Sequence, residues 1–232
     1  QGRRRHHTES PRARTHRVMI VSAGHWSGRT WSDGTAVVIA SGPSLNEAQC
    51  EMVRAWRHAS FGRHVIVVNT SFRRAPWADV LYACDGVWWV HYFDHVDRGL
   101  WEPFQQERWT QERSAALRYG LRWIESSASP GLGRRPGLIH QGGNGGYQAI
   151  NLAVQRGAKR VLLLGFDMQG THWHGVHPRP LANTRPYLFQ VWRKNFIRLA
   201  ADLKHDGIEV LNCTPGSALD VFPMADLAEA LR

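Results

Sequence analysis

Apolar and polar positions along the chain fall into short runs that alternate between two periods. Ala36 to Ala40 is an unbroken run of small and β-branched residues, the pattern of a strand covered on both faces. It meets a turn at Ser41-Gly42-Pro43-Ser44, and residues 47–60 follow with helical spacing behind Asn46 and Glu47, which suit a helix cap and first turn. The alternation continues with a strand over 64–69, a turn or short helix over 72–77 stopped at Pro76, and a third strand over 79–85. It breaks from 86 to 136, where an amphipathic helix over 107–125 and a Ser/Gly/Pro/Arg-rich loop over 126–136 are expected. Order returns at 137–140. A glycine turn at 142–146 opens a helix that runs to Arg156, with Tyr147, Ile150 and Val154 on one face. Residues 159–167 give the clearest strand, and a histidine-rich loop (170–180), a helix (184–205) and a last strand (207–212) complete the series. Upstream, 18–23 has the pattern of a short strand and 24–34 that of a polar loop.

Repeated strand–helix units predict an α/β fold: a doubly wound, mainly parallel Rossmann-like sheet with an inserted lid region over 86–136. With 43% hydrophobic residues in 232, the chain cores one domain, taken as 18–232. In such sheets ligands bind at the carboxyl ends of the strands. Those ends collect Ser41, Gly42, Asn69, Asp85, the turn at 142–146, Asp167, Asn212 and Thr214, all small or polar. A few polar strand ends are ordinary caps, but this many on one rim point to a nucleotide-sized pocket. Gly42 permits a close backbone approach, and with Pro43 and Ser44 it leads into a helix N-terminus able to meet phosphate. The stretch lacks a Walker lysine and the three spaced glycines of a dinucleotide fingerprint, so an ordinary βα unit is its plain alternative.

Charge adds a second theme. The formal net charge is +10, and six arginines within 1–17 stand against Glu9 alone. That segment has no apolar period and is expected to be a disordered basic arm able to touch DNA or another polyanion. No apolar run reaches the length that spans a bilayer. Cys50, Cys84 and Cys213 are too scattered for a disulfide framework and read as buried thiols in a reducing, cytoplasmic setting. The tryptophans suit a stacking surface or an aromatic core, with core packing the better reading for Trp88 and Trp89.

Taken in order, Ile39-Ala-Ser-Gly-Pro-Ser-Leu45, Val67-Val-Asn-Thr-Ser-Phe72, the glycine turn with Tyr147-Gln-Ala-Ile-Asn-Leu-Ala153, Leu162-Leu-Leu-Gly-Phe-Asp167 and Asn212-Cys-Thr-Pro-Gly-Ser-Ala-Leu219 resemble the bacterial sialyltransferases of glycosyltransferase family 42. They also resemble phage and prophage proteins of that superfamily, which includes relatives of 6-hydroxymethylpterin pyrophosphokinase. The resemblance covers roughly 35–222. It implies a nucleotide sugar, CMP-linked in the sialyltransferases, as co-substrate, with no separate cofactor or metal. It places the nucleotide-contacting asparagines of the family at Ser41 and Asn69, and a Thr-Ser-Gly turn at Asn144, Gly145 and Gly146. The catalytic histidine falls among His172, His174 and His177.

Sugar transfer to a hydroxyl acceptor needs a base, and His177, then His174, are the residues expected to serve. Three histidines within 172–177 also have the spacing of a metal site, but no cysteine or acid lies close in sequence, and metal is not expected. Asp85 and Asp167 offer an alternative Mg²⁺ pair for phosphoryl transfer. The paired tyrosines that hold phosphate in the sialyltransferases have no counterpart here, which motivates a third reading, a non-catalytic phage morphogenesis or nucleic-acid-binding protein. A homo-oligomer is compatible with each.

Overall fold

The computed structural model describes residues 28–95 and 104–232. The expected strand over 18–23 and the basic arm over 1–17 lie outside them. Among the described residues the main sheet has seven strands, all parallel. In chain order they are β1 (Thr35–Ile39), β2 (Arg63–Val68), β3 (Val80–Tyr82), β4 (Glu107–Thr110), β5 (Arg122–Trp123), β8 (Arg160–Leu164) and β9 (Glu209–Asn212). In space the order is β5-β4-β3-β2-β1-β8-β9. A separate parallel pair, β6 (Glu125–Ser127) with β7 (Leu138–His140), lies between β5 and β8 in sequence.

Side-chain alternation makes the sheet two-faced and covers both faces. Ala36 and Val38 of β1 point to one side with Ile66, Tyr82 and Trp109, where α4 (Gly145–Arg156) and α5 (Pro186–His205) pack through Ile150, Ala153, Phe196 and Leu199. Val37 and Ile39 point to the other side with Val65, Val67 and Leu81. There α1 (Glu47–Ala59), α2 (Gly86–Val90), α3 (Arg113–Tyr119) and α6 (Leu227–Ala230) supply Val53, Trp88, Ala116 and Leu227. Trp88 and Trp89 are thus core residues, 3% and 0% exposed. The three cysteines are free and buried.

Local sequence explains the boundaries. Asn46 caps α1 by accepting from the Gln49 amide while the Gln49 side chain accepts from the Asn46 amide, a reciprocal capping box. Pro186 opens α5, where a missing N–H costs nothing. Over 107–125 the single helix expected from the sequence is replaced by strand, short helix and strand. Trp109 and Thr110 are fully buried at the end of β4, and Gly120, at φ +64°, stops α3 after seven residues. β4 is held by the nearly buried Arg156, whose guanidinium meets Glu107 at 2.7 Å and lies over the Trp31 and Trp109 rings. Part of the stretch read as a lid therefore extends the sheet.

Chain direction creates the opening. From β1 the chain moves outward through β2 to β5, then returns to the other side of β1 as β8 and β9. The ends of β1, β2 and β8 thus flank a switch point where neighbouring connections leave on opposite faces.

Candidate functional site

At the end of β1, Gly42 N–H donates to the carbonyl of Gly165, just beyond β8. A side chain at 42 would place its Cβ 1.9 Å from Asp167 Oδ2 and 2.6 Å from the Gly165 oxygen. The glycine is required by this approach of two strand ends. Ser44 donates from both its amide and its hydroxyl to Asp167, each at 3.0 Å. The 41–44 turn, expected as a phosphate cradle, is therefore closed on a carboxylate of its own chain. Burial raises the pKa of Asp167, and the two Ser44 bonds oppose that rise.

At the end of β2, Asn69 has φ +51°, and Met168 beyond β8 has φ +52°. Left-handed backbone at a non-glycine residue costs energy that the surrounding fold must supply, and such strain clusters at functional sites. Asn69 Oδ1 is buried with no hydrogen-bond partner among the described residues. Across from it, Asn144 caps α4, taking the amides of Gly146 (2.8 Å) and Tyr147 (3.2 Å). An anion at this helix end would have to use Gly145 and the turn before it, or displace the cap. A Cβ on Gly145 would lie 4.0 Å from Asn69 Nδ2, so the glycine turn and the end of β2 are neighbours.

The histidine loop is a tight hairpin with fixed ends. Trp173 N–H donates to the Ser41 carbonyl at 3.0 Å, and Gly175 N–H to the His172 carbonyl at 2.9 Å, with Gly175 at φ +83°. The Asn183 side chain clamps His177 by accepting from its amide (2.7 Å) and donating to its carbonyl (3.2 Å). Arg74 stacks its guanidinium 4.2 Å from the Trp173 ring centre. As a result the rings of His172, His174 and His177 converge, with centroids 4.3 to 5.1 Å apart. Burial lowers the pKa of His172. It brings His174 down to about 4, helped by His172 and Arg73, and His177 to about 4, helped by His172, His174 and His91. All three are neutral imidazoles near pH 7.

Ser41, Gly42, Asn69, Asn144, Gly145, Gly146, Asp167 and His177 line one cavity of about 290 Å³, near the lower end for a small-molecule site. His172 lines it too, and His174 stands behind it in the cluster. Pro43 and Ser44 lie just outside, in the turn that closes on Asp167. Asn212 and Thr214, expected at the site, do not line this cavity. Both are fully buried: Thr214 Oγ1 accepts from Phe166 N–H, and Asn212 donates to Ser217 Oγ and the Leu219 carbonyl. They brace the end of β8 from beneath. Among the described residues nothing from 86 to 142 lines the cavity. Its far wall is 168–192, including Asn183, Phe189 and Trp192, with Cys84 on the sheet side. The sequence signal for that wall was Phe189 and Trp192 at i, i+3 in the first turns of α5; Asn183, in a loop, carried none. Comparison with protein-family models, with curated proteins and with solved structures finds no match to this chain.

Proposed function

We propose that the protein binds a nucleotide donor in this cavity and transfers the group it carries, a glycosyl unit in the favoured reading, to a hydroxyl acceptor. The observation that carries the reading is the convergence on one cavity of four strand ends, the glycine turn before α4 and the histidine hairpin. Asn69 and Asp85 both line the cavity and carry polar groups suited to the amino and hydroxyl groups of a nucleoside. The phosphate then falls toward Gly143 to Gly146 and the hairpin, and the acceptor loses its proton at the hairpin, where His177 faces the cavity. A CMP-linked sugar is the donor implied by the family resemblance. Phosphoryl transfer through Asp85 and Asp167 is less favoured, because the Asp167 oxygens are already engaged by Ser44.

The test is a nucleotide panel (CMP, UDP, ATP and their sugar conjugates) read by thermal shift and calorimetry. A true ligand at 100 times its Kd adds about 2.7 kcal/mol, or roughly 5–10 °C for a chain of this size. Asn69→Gly keeps the left-handed backbone and removes the carboxamide, and it should weaken that ligand at least about 10-fold in a protein that still melts cooperatively. A panel with no shift, or an Asn69→Gly variant with undiminished affinity, overturns the proposal.

A further inference from the structure

We propose that His172, His174 and His177 together bind one divalent transition-metal ion of the zinc class, with the ion's remaining position open to the cavity. One ring nitrogen from each histidine lies within 4.8 Å of the others. Two nitrogens of a tetrahedral zinc site, each 2.0–2.1 Å from the ion, stand about 3.3 Å apart. The nitrogens therefore need to close by up to about 1.5 Å for one ion to bind all three.

The backbone is already set for this. Each arm of the hairpin is tied: Trp173 to Ser41, Gly175 to His172, and His177 to Asn183. Those ties fold an H-x-H-x-x-H stretch so that its three rings meet, although nothing in the spacing alone required it. The cluster is incomplete as it stands. His174 Nε2 and His177 Nδ1 are buried with no hydrogen-bond partner among the described residues, and leaving such atoms unsatisfied is costly. Water in the bulk cannot reach them, whereas a bound ion takes lone pairs from neutral imidazoles.

The donor set decides the class of ion. Imidazole nitrogen suits Zn²⁺, Cu²⁺ and Ni²⁺, while Mg²⁺ and Ca²⁺ prefer oxygen. Among the described residues no cysteine or carboxylate joins the group, so these residues supply three ligands. Three protein ligands with an open fourth position is the arrangement of a site that handles substrate, as against a closed structural one. His172 and His177 line the cavity, so the open position faces it.

An ion here would also change the cavity's charge. Asp85 and Asp167 face an anionic donor across the same space, and the 41–44 turn is closed on Asp167. A divalent ion on the opposite wall supplies the positive charge that a phosphate needs. That consequence rests on the nucleotide reading; the binding of the ion does not, and because a ligated His177 has no free lone pair, its role as base belongs to the metal-free protein.

The experiment uses the full chain, stripped with chelator, and titrates Co²⁺ by its visible absorption and Zn²⁺ by calorimetry and competition. One equivalent is expected to bind at the cluster, with the intense d–d bands of a four-coordinate nitrogen-rich site. His174→Gln and His177→Gln should each lower affinity by more than about 100-fold, beyond the loss typical of an outer-shell change. His58→Gln and His205→Gln, both exposed, should leave it unchanged. Absence of one-equivalent binding, or binding indifferent to the cluster variants, overturns the proposal. If a cluster variant fails to fold, imidazole ¹⁵N–¹H spectra of the unaltered protein decide: Zn²⁺ must shift three imidazoles together. CMP affinity measured with and without Zn²⁺ separates the two proposals. Loss of metal binding with CMP retained sinks only this one, and metal bound with no nucleotide sinks only the other.

Discussion

A side chain at position 42 is excluded by Asp167, a neighbour 125 residues away in sequence. Gly42→Ala is accordingly expected to cost about 1–3 kcal/mol in stability, the range for forced overpacking, as measured by denaturant unfolding. Combining it with Asp167→Ala should restore only part of this, since the Gly165 carbonyl still stands 2.6 Å from the new Cβ. His64 shows a second effect that sequence does not reveal. It stacks on Trp31 at 4.4 Å, and burial lowers its pKa from the ordinary 6.5 to about 4, with Asp79 opposing and Arg57 and Arg156 assisting. The folded state thus holds fewer protons than the unfolded one between those values. Its contribution is complete above pH 6.5 and is lost as pH falls toward 4. His64→Phe keeps the stack and removes the titration. Its melting temperature should fall less steeply than that of the unaltered protein between pH 7 and 4; parallel curves would show that His64 is not protonated on unfolding.

Elements were legible where one period persists. Helices α1, α4 and α5 begin and end within a residue or two of the positions that their caps and apolar stripes indicate, because Asn46, Asn144 and Pro186 act through neighbours in sequence. Asn144→Ala removes the acceptor of two amides and should cost about 0.5–2 kcal/mol. It also frees those amides toward the cavity, so anion affinity should rise even as thermal stability drops. A fall in both would place the cap itself in ligand recognition. Between 107 and 125 the reading failed because the partners that fix β4 are distant. Glu107 is held by Arg156, and Trp109 is covered by the α4 side of the core. The histidine hairpin was hidden for the same reason. Its shape depends on Ser41 and Asn183, one of them far along the chain.

For the molecule as a whole, the alternating pattern carried the doubly wound sheet, and charge adds what the fold does not. No helix among the described residues is long and apolar enough to cross a membrane. Deleting 1–17, which lie outside the described residues, removes six arginines. It should leave the melting temperature unchanged and reduce the slope of log affinity for DNA against log salt by up to about 5. A loss of several degrees would assign the segment to the fold instead. The parallel register of β1 with β8 pairs Thr35 with Arg160 and Ile39 with Leu164. It spans more than half the chain, and loop closure over that distance must precede any reward from the contact. A nascent chain that ends before 160 therefore has β1, its glycine turn and Asn69, but no opposite wall. In refolding, recovery of ligand binding should lag behind the return of helical circular dichroism, so that occupancy of the cavity reports a completed fold and distinguishes it from a merely collapsed one.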